Sequence, residues 1–448
     1  MIQSVLQKKL NEELIKRNQP ILNIFDEKKR FTLLNAGYEK NILHINKAYR
    51  CFIEDCSGNV YIDTALGAGT HILGHANPIL TEEIIRQSKE GTLYILPNKY
   101  AYEAGKLLSE IIPHFHSFVF CNSGSEATMR AARLARAYTE KKKIAMFGGG
   151  WHGGNDLMLY EDDYDSDEKR PLAMFKSGGL PKDLLDLVLF LPYNSDDALD
   201  LIEQHKDELA MVIIEPSQGS NPRDDVGDFL HQLREITSKC DILLCFDEII
   251  TGFRVALGGC QEYYGVEADI VTYGKTLGGG LPVGMVSGNE EVMNAMYGND
   301  QRNAVFMGGT FSANPLVMCL TKCILEYLKK NEDTVYPYLN QNGKYIRDTV
   351  NEFCLTNDVP VRMIGIGSMS RMIFTGRPIT SRRERDKYEI GDAIQKLFYL
   401  YLLLEKGVHI SSNGVIFIST EHYEEHIEEI IQCLTHSLEY FSKELNLI

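Results

Sequence analysis

The lysine at position 275 has the sequence context of a nucleophile. It stands in Tyr273-Gly274-Lys275-Thr276, just after the apolar segment 269–272. The charged form of a lysine at the rim of an enclosed site loses solvation, so its pKa falls and its neutral amine becomes nucleophilic. An exposed lysine in a glycine-rich loop is the alternative that this motif leaves open when it is taken alone.

Two carboxylates follow other apolar segments. Asp247 comes directly after the segment 242–246, and Glu215 comes directly after 211–214. Doubly wound α/β proteins bind ligands beyond the carboxyl ends of their strands. A half-buried aspartate there can pair with a protonated ring nitrogen and keep it cationic, which makes Asp247 a candidate ligand. Each acid, taken singly, could also be an ordinary loop residue.

A phosphate-binding motif is predicted at Ser123, Gly124 and Ser125, which lie between the apolar segment 117–120 and a predicted helix over 127–137. The N–H groups of a first helical turn lack acceptors within the helix. Together with neighbouring hydroxyl groups they favour phosphate binding. A serine that only caps the helix is the alternative.

The glycine-rich loop 148–154 follows another apolar segment and contains the pattern G-x-G-x-x-G. In dinucleotide-binding folds this pattern opens a helix after the first strand, but 156–160 do not read as a helix. We interpret the loop as one that presents Trp151, the only tryptophan of the chain, to a planar ligand. Trp151 and its neighbour His152 are therefore candidate contacts, and a core tryptophan at a turn is the alternative.

The elements that must position these residues are predicted from continuous apolar runs. Such runs are typical of strands buried on both faces of a parallel sheet, and they occupy 117–120, 143–147, 211–214 and 242–246. Between them, amphipathic patterns such as the one from 226 to 236 predict helices. The predicted fold class is α/β, with a mostly parallel sheet covered by helices.

The domain organisation is predicted from a change of pattern after about residue 315, where long helices precede short strands and a final helix. We expect a large ligand-binding domain over 61–315 and a smaller α+β domain over 316–448. The N-terminal segment 1–60 is expected to pack with the smaller domain, and a hairpin is predicted around Ser57-Gly58-Asn59.

Composition narrows the class of protein. The net charge of -16 argues against a nucleic-acid partner. No apolar run approaches the roughly 18 residues that would span a membrane, and the N-terminal residues do not read as a secretion signal. We therefore expect a cytoplasmic protein that binds no membrane.

No metal site is expected. The ten cysteines include no Cys-x-x-Cys pair and are typical of reduced thiols. His71 and His75 have the spacing of half a zinc motif, but the glutamate of that motif is missing. Gly74 and Pro78 also argue against the helix that the motif needs.

The four motifs together supply a phosphate site, an aromatic plate, an acid for a ring nitrogen and a reactive amine. Pyridoxal 5'-phosphate needs all four functions. We therefore predict an enzyme that holds this cofactor as a Schiff base on Lys275.

The sequence resembles the class III aminotransferases of fold type I, and among them most of all the glutamate-1-semialdehyde 2,1-aminomutases. The matching stretches are 61–63, 72–78, 122–136, 247–259, 274–284 and 309–315. The resemblance is good over about 50–320 and looser elsewhere. It implies a large cofactor-binding domain with a mostly parallel sheet and a smaller α+β domain.

The resemblance also implies a role for each site residue. Lys275 would carry the cofactor and move a proton between substrate carbons, and Asp247 would bind the pyridine nitrogen. Ile249 would pack under the ring and Trp151 over it, where Tyr or Phe is usual. The other implied contacts are the phosphate ligands Gly124 and Ser125, the adjoining Ser123 and His152, Glu215 near the ring oxygen, and Thr310, which would reach the phosphate from the neighbouring subunit of an obligate homodimer.

The segments that bind substrate in the family differ here. The aminomutases hold the substrate carboxylate with an arginine near the N-terminus, and no such arginine can be aligned within 21–38. Residues 65–70 replace a stretch that contains a tryptophan in that family. Many aminotransferases clamp an α-carboxylate with a C-terminal arginine, and none occurs between His409 and Thr420.

We therefore expect retained cofactor chemistry and a different substrate. The expected activity is transfer of an amino group from an amino-acid donor, with glutamate as the expected donor, to an aldehyde or ketone of a biosynthetic pathway. The alternatives are an aminomutase that transfers the group within one molecule, and a related racemase or epimerase. A non-catalytic cofactor-binding relative is a further alternative, against which the joint presence of Lys275 and Asp247 argues.

Overall fold

The computed structural model describes residues 2–19, 43–298, 304–411 and 413–445. In chain order its strands are β1 (Ile45–Tyr49), β2 (Phe52–Asp55), β3 (Val60–Asp63), β4 (Ser117–Cys121), β5 (Lys143–Phe147), β6 (Tyr160–Asp162), β7 (Ala173–Phe175), β8 (Val188–Leu191), β9 (Leu209–Ile214), β10 (Leu243–Glu248), β11 (Ile270–Gly274), β12 (Gly284–Gly288), β13 (Arg362–Ile366), β14 (Met369–Ile373), β15 (Val408–His409) and β16 (Val415–Phe417).

The helices that cover these strands are α1 (Ile2–Arg17), α2 (Pro78–Glu90), α3 (Lys99–Ile111), α4 (Gly124–Thr139), α5 (Asp196–Gln204), α6 (Gly227–Lys239), α7 (Gly259–Tyr264), α8 (Glu290–Asn294), α9 (Pro315–Lys330), α10 (Glu332–Thr356), α11 (Arg382–Tyr388), α12 (Asp392–Lys406) and α13 (Glu424–Leu445). Short 3₁₀ turns cover Lys182–Leu187 and Lys275–Gly278.

The central sheet has the strand order β4-β12-β11-β10-β9-β5-β8. The strands from β11 to β8 are mutually parallel. β12 runs antiparallel to both β11 and β4, so β4 points the same way as the parallel strands. The predicted α/β class is therefore confirmed, and the carboxyl ends of β4, β5, β9, β10 and β11 all meet one edge of the sheet.

The antiparallel strand β12 was not predicted from the sequence. A parallel neighbour to β11 would need a crossover of about a dozen residues or more. Only the segment 275–283 separates the two strands. The chain therefore turns back directly, and the loop that begins at Lys275 is held against the sheet.

The rigidity of this edge comes from the core beneath it. The strands β9, β10 and β11 are buried at every residue. Small side chains line the buried face of α4, which lets this helix lie close to the sheet; they are Ala127, Ala131, Ala132 and Ala135. Burial contributes about 1.5–3 kcal/mol for each large apolar side chain, so the strand ends are fixed by a large favourable term.

The N- and C-terminal parts of the chain meet beside the central sheet. The hairpin β2–β3 forms around Ser57-Gly58-Asn59 as predicted, and β15 pairs in parallel with β3. Arg17 on α1 donates hydrogen bonds to Tyr61 Oη (2.7 Å) and to the carbonyl of Leu404 on α12 (2.8 Å). The domain boundaries given above remain a prediction.

No helix in the part of the chain that the structure describes is long and apolar enough to cross a membrane. The apolar run 397–404 lies within α12, where Leu397, Phe398, Leu402 and Leu404 are buried in the core.

The close approach of β12 to the loop after β4 generates a stability prediction. A Cβ atom at Gly284 would lie 2.1 Å from the carbonyl oxygen of Ser123. We expect Gly284→Ala to lower the free energy of unfolding by about 1–3 kcal/mol through overpacking, measured by chemical denaturation. Gly178→Ala is the control, since a Cβ there meets nothing within 4 Å. Equal stability of the two variants would contradict the described contact.

Candidate active site

A cavity of about 420 Å³ lies at the carboxyl edge of the central sheet. It brings together nine of the residues predicted from the sequence, namely Ser123, Gly124, Ser125, Trp151, His152, Glu215, Asp247, Ile249 and Lys275. Thr310 is exposed and does not line the cavity of its own chain. The segment 21–38 lies outside the described residues.

Lys275 extends from the end of β11 into this cavity. Its backbone has φ of 42°, a left-handed conformation that is costly for a residue with a side chain. Desolvation lowers the pKa of Lys275 from 10.5 to about 8, although the charges of Glu215 and Asp247 act in the opposite direction. The amine therefore becomes neutral at a much lower pH than an ordinary lysine, and a neutral amine is a nucleophile.

Asp247, at the end of β10, is oriented by three hydrogen bonds. Its Oδ2 lies 2.7 Å from Nδ1 of His152. Its Oδ1 accepts from Thr272 Oγ1 at 3.2 Å and from the N–H of Ile249 at 3.1 Å. Asp247 is 3 % exposed, so the carboxylate is fixed in direction within a desolvated wall of the cavity.

His152 is as deeply buried as its partner carboxylate. Burial opposes its charged form, but the hydrogen bond and the charge of Asp247 outweigh that effect and raise the pKa of His152. Its Nε2 is buried without a hydrogen-bond partner among the described residues. The Asp247–His152 pair thus forms a polar wall with one ring nitrogen left unpaired.

Glu215, at the end of β9, fixes the glycine-rich loop. Its two carboxylate oxygens accept from the N–H of Trp151 at 2.6 Å and from the N–H of Gly219 at 2.7 Å. Burial raises the pKa of Glu215, and the charge of Asp247 adds to the effect. Trp151 is thereby held at the cavity with about half of its side chain exposed, and Lys176 Nζ lies 5.0 Å from its ring centroid.

The start of α4 forms the opposite wall of the cavity. Ser123 Oγ accepts from the N–H of Glu126, and Glu126 Oε2 accepts in return from the N–H of Asn122. These reciprocal bonds resemble a capping box and fix the first helical turn. Gly124 faces Ile249, since a Cβ at 124 would lie 3.0 Å from Ile249 Cδ1.

Ser125 connects the helix start to the glycine-rich loop, because its Oγ accepts from the N–H of Gly154 at 3.0 Å. A Cβ at Gly153 would lie 2.7 Å from the Ser125 Cα. The absence of a side chain at Gly153 is therefore needed for the loop to close over the helix start.

These residues fit pyridoxal 5'-phosphate. The helix start offers N–H groups and hydroxyls to a phosphate, and the side chain of Ile249, packed against Gly124, gives the cavity an apolar surface for a flat ring. The oriented carboxylate of Asp247 suits a protonated ring nitrogen. The amine of Lys275 lines the same cavity and suits an aldehyde.

His71 and His75, which have zinc-like spacing, contact each other, and His75 also contacts Asp63. His75 Nε2 lies 2.7 Å from Asp63 Oδ2, and the rings of His71 and His75 are 4.4 Å apart. Within the described ranges no group of three or more His, Cys, Asp or Glu side chains is placed to hold a metal ion.

Comparison with known proteins supports the same conclusion. The family model of class-III aminotransferases matches residues 33–438. The glutamate-1-semialdehyde 2,1-aminomutase of Persephonella marina is 35% identical over 424 residues, which is 92% of this chain and 96% of the relative. The chain belongs to the class-III aminotransferases. Its cofactor is pyridoxal 5'-phosphate, as the sequence predicted.

Other relatives and solved structures agree with this family. The aminomutase of Methanothermobacter thermautotrophicus is 35% identical over 386 residues, covering 85% of this chain and 89% of the relative. An omega-transaminase from Sphaerobacter thermophilus superposes with a TM-score of 0.81 at 31% identity, over 96% of this chain and 97% of its own. A glutamate-1-semialdehyde aminomutase from Pseudomonas aeruginosa gives 0.86 at 21% identity over 98% of both chains, which supports the fold.

The sequence did not identify one wall of the cavity in this class-III aminotransferase. That wall consists of Thr70, Ile250 and the stretch Gly280, Leu281, Pro282 and Val283. Ile250 and 280–283 adjoin residues that were predicted, so proximity in sequence was an available signal. Thr70 comes from a distant part of the chain, and the sequence showed only that 65–70 departs from the family pattern, without assigning Thr70 to the cavity.

The lowered pKa of Lys275 predicts an unusual reactivity of this aminotransferase without its cofactor. We expect Lys275 to undergo reductive methylation by formaldehyde with a rate that rises with a midpoint near pH 8, whereas exposed lysines respond near their ordinary value. Peptide mass spectrometry over a pH series measures the midpoint. Glu215→Gln removes a charge that raises this pKa, so its midpoint should fall. A midpoint near 10.5 would refute the effect.

Proposed function

We propose that this aminotransferase moves an amino group from an amino-acid donor, with glutamate as the expected donor, to an aldehyde or ketone. The observation that carries this proposal is the location of the Lys275 amine, the Asp247–His152 pair and the start of α4 in one cavity. These groups supply a mobile proton carrier, a ring-nitrogen partner and an anion site.

The cofactor, when bound, withdraws electrons from the amine-bearing carbon of a substrate and so acidifies its proton. Lys275 would hold the cofactor and, once released, would take a proton at Nζ from one carbon and deliver it to another. A pKa of about 8 suits both directions, because the amine then changes protonation state near neutral pH. Asp247 would keep the ring nitrogen charged, and His152 would orient Asp247.

The phosphate would be held by Gly124 and Ser125 at the start of α4, with Ser123 fixing that turn. Trp151 and Ile249 would enclose the ring from its two faces. Glu215 would exclude water by holding the Trp151 loop closed, through the hydrogen bonds to Trp151 and Gly219.

The rest of the cavity wall supports a carbonyl acceptor that differs from the substrate of the aminomutases. Of the described residues that line the cavity, Lys275 alone has a lysine or arginine side chain. A carboxylate of the acceptor bound deep in the cavity would therefore lack a dedicated cation among these residues, and the carboxylates of the glutamate donor would have to lie towards the cavity mouth. An acceptor with a neutral, apolar substituent fits Thr70, Ile250 and Leu281 better.

Glutamate-1-semialdehyde 2,1-aminomutase is the second candidate function. The observation that favours it is the similarity to curated aminomutases at 35% identity over most of both chains. Such an enzyme transfers the amino group within one substrate and needs no external donor.

A donor half-reaction tests the proposal. We expect L-glutamate to bleach the visible absorbance of the purified holoenzyme and to release one equivalent of 2-oxoglutarate per site. Lys275→Ala should lower the rate by about a thousand-fold or more, because it removes the proton carrier. Stopped-flow absorbance and coupled detection of the keto acid measure both effects.

Lys176→Ala is the control variant for the half-reaction. Lys176 lies beside Trp151 but does not line the cavity, so this variant should keep the activity.

A second experiment separates the two candidate functions. Glutamate 1-semialdehyde converted without any added donor, together with no keto-acid release from a panel of amino acids, would favour the aminomutase and contradict the aminotransferase.

We also propose that the active unit is a homodimer in which Thr310 completes the phosphate site of the other subunit. Large apolar side chains around Thr310 and along 93–96 are exposed; they include Ile95 (95%), Leu96 (77%), Phe306 (73%) and Phe311 (59%). Exposed apolar surface of this extent is typical of protein–protein contacts. A second copy of the chain would bury it and bring Thr310 to a neighbouring cavity.

Mixing two defective variants tests this arrangement. Lys275→Ala and Thr310→Ala chains, unfolded and refolded together, should recover about a quarter of the normal activity, since half of the dimers would hold one intact site. If Thr310 served its own cavity, every mixed dimer would lack an intact site. No recovery above the separate variants would therefore contradict the shared site, and light scattering measures the dimer directly.

A further inference from the structure

Arg254 is the largest fully buried side chain of the described residues. It follows Asp247 in the segment after β10, and the left-handed backbone of Phe253 (φ 59°) precedes it. Its guanidinium reaches the loop after β3, where it binds the carbonyl of Gly69. Nothing in the function proposed above uses it.

The guanidinium of Arg254 binds three separate parts of the chain. Nε and Nη2 both donate to the carbonyl of Gly69, at 3.0 and 2.5 Å. Nη1 donates to Ser368 Oγ and to the carbonyl of Ile418, each at 3.2 Å. The ring of Phe417 lies 5.3 Å below the guanidinium.

The hydrogen bonds of the Arg254 guanidinium to described residues go to two backbone carbonyls and one hydroxyl, and none of them goes to a carboxylate. Burial lowers the pKa of Arg254 to about 10. An apolar residue of similar size would fill this space without desolvating a charge. What the arginine adds over such an apolar residue is its hydrogen bonds, two of which go to the carbonyl of Gly69 in the loop after β3.

The target is a strained loop. Leu66, Gly67, Ala68 and Gly69 all have positive φ, at 46°, 61°, 56° and 85°. Such a conformation is unfavourable for leucine and alanine and persists only when neighbouring groups impose it. Asp63 holds one end by accepting from the N–H groups of Ala65 and Leu66. Arg254 holds the other end at Gly69.

The residue after this loop reaches the active site. Thr70 lines the cavity beside Lys275 and belongs to the wall that is not assigned to the cofactor. The position of Thr70 depends on Gly69, and Gly69 also contacts Phe417, since a Cβ there would lie 2.7 Å from the Phe417 ring.

We propose that Arg254 is a positioning residue for the substrate, which fixes the loop 65–70 as the substrate-facing wall of the cavity by holding the carbonyl of Gly69. Its bonds to Ser368 and Ile418 make that wall continuous with β14 and β16. The predicted effect on substrate binding rests on the function proposed above. The fixation of the loop by Arg254 does not depend on that function.

Arg254→Met and Arg254→Lys are the test variants, and Arg347→Met is the matched control. Arg347 is a partly buried arginine that donates to the carbonyls of Gly367 and Met369 and to Ser370 Oγ, and these bonds do not involve the loop 65–70. Arg254→Lys keeps the charge and loses the two-pronged bond to Gly69.

Hydrogen exchange of the holoenzyme gives the first readout. We expect amides of 64–72 to exchange at least ten-fold faster in Arg254→Met and Arg254→Lys than in the normal protein and in Arg347→Met. Cofactor affinity, titrated by absorbance, should stay within about two-fold, because Arg254 contacts none of the cofactor-facing residues. Unchanged exchange in 64–72 would overturn the proposal, whatever substrate the enzyme uses.

Kinetics with L-glutamate give the second readout. Both variants should raise KM by about ten-fold with a smaller change in kcat, because substrate binding and not proton transfer depends on the wall. The charge of Arg254 lowers the pKa of the free Lys275 amine, whereas Glu215 and Asp247 raise it. The pH midpoint for methylation of Lys275 in the cofactor-free protein should therefore rise in Arg254→Met and stay unchanged in Arg254→Lys.

Gly69→Ala keeps the test decisive if Arg254→Met does not fold. A Cβ at this positive-φ position would lie 2.7 Å from the Phe417 ring, so this variant displaces the loop and leaves the buried charge in place. It should raise exchange in 64–72 and KM without moving the pH midpoint. Normal exchange and normal KM in both Gly69→Ala and Arg254→Lys would overturn the proposal. Failure of the normal enzyme to react with any donor would instead refute the proposed function.

Discussion

The charged groups at the carboxyl edge of the central sheet impose the main constraint on this structure. Apolar strands end together and leave Asp247, Glu215 and the amine of Lys275 in one desolvated cavity. Charges in such a place are unfavourable unless hydrogen bonds and opposite charges compensate them. The backbone N–H groups of the glycine-rich loop and the ring of His152 provide that compensation. The carboxylates of Glu215 and Asp247 in the cavity are therefore each held in a fixed direction by hydrogen bonds.

Part of the backbone strain lies at this cavity and in the segments that support it. Lys275, Phe253, Leu66 and Ala68 have left-handed conformations. Each costs on the order of 1–3 kcal/mol and persists because the surroundings determine it. The fully buried strands β9 and β10 supply the stability that offsets this cost, and the short return from β11 to β12 imposes the conformation of Lys275.

Distant parts of the chain converge on this edge through buried polar groups. Asp63 at the end of β3 binds His75 and His409, each at 2.7 Å. Arg254 joins the loop after β3 to the region of β14 and β16. The N-terminal and C-terminal parts of the chain are thereby tied to the segment that also carries Asp247. The wall of the cavity that contains Thr70 thus depends on parts of the chain far from Asp247 and Lys275 in sequence.

The sequence by itself determined which strand-end residues share the cavity. Continuous apolar runs predicted the parallel strands, and parallel strands end at one edge, so the residues that follow them had to meet. This local rule was sufficient for Lys275, Asp247, Glu215, Trp151 and the start of α4.

The tertiary structure alone decided the other half. Arg254 lies in a stretch that matches the family and Thr70 in one that departs from it, but neither has a local pattern that assigns it to the cavity or to its support. They come together because a buried guanidinium must find acceptors, and the carbonyls of Gly69 and Ile418 are supplied by remote segments. The pairing of His152 with Asp247 likewise arises from strand order, which periodicity does not encode. Hydrogen bonds between segments far apart in the chain are set by packing, and local sequence patterns do not report them.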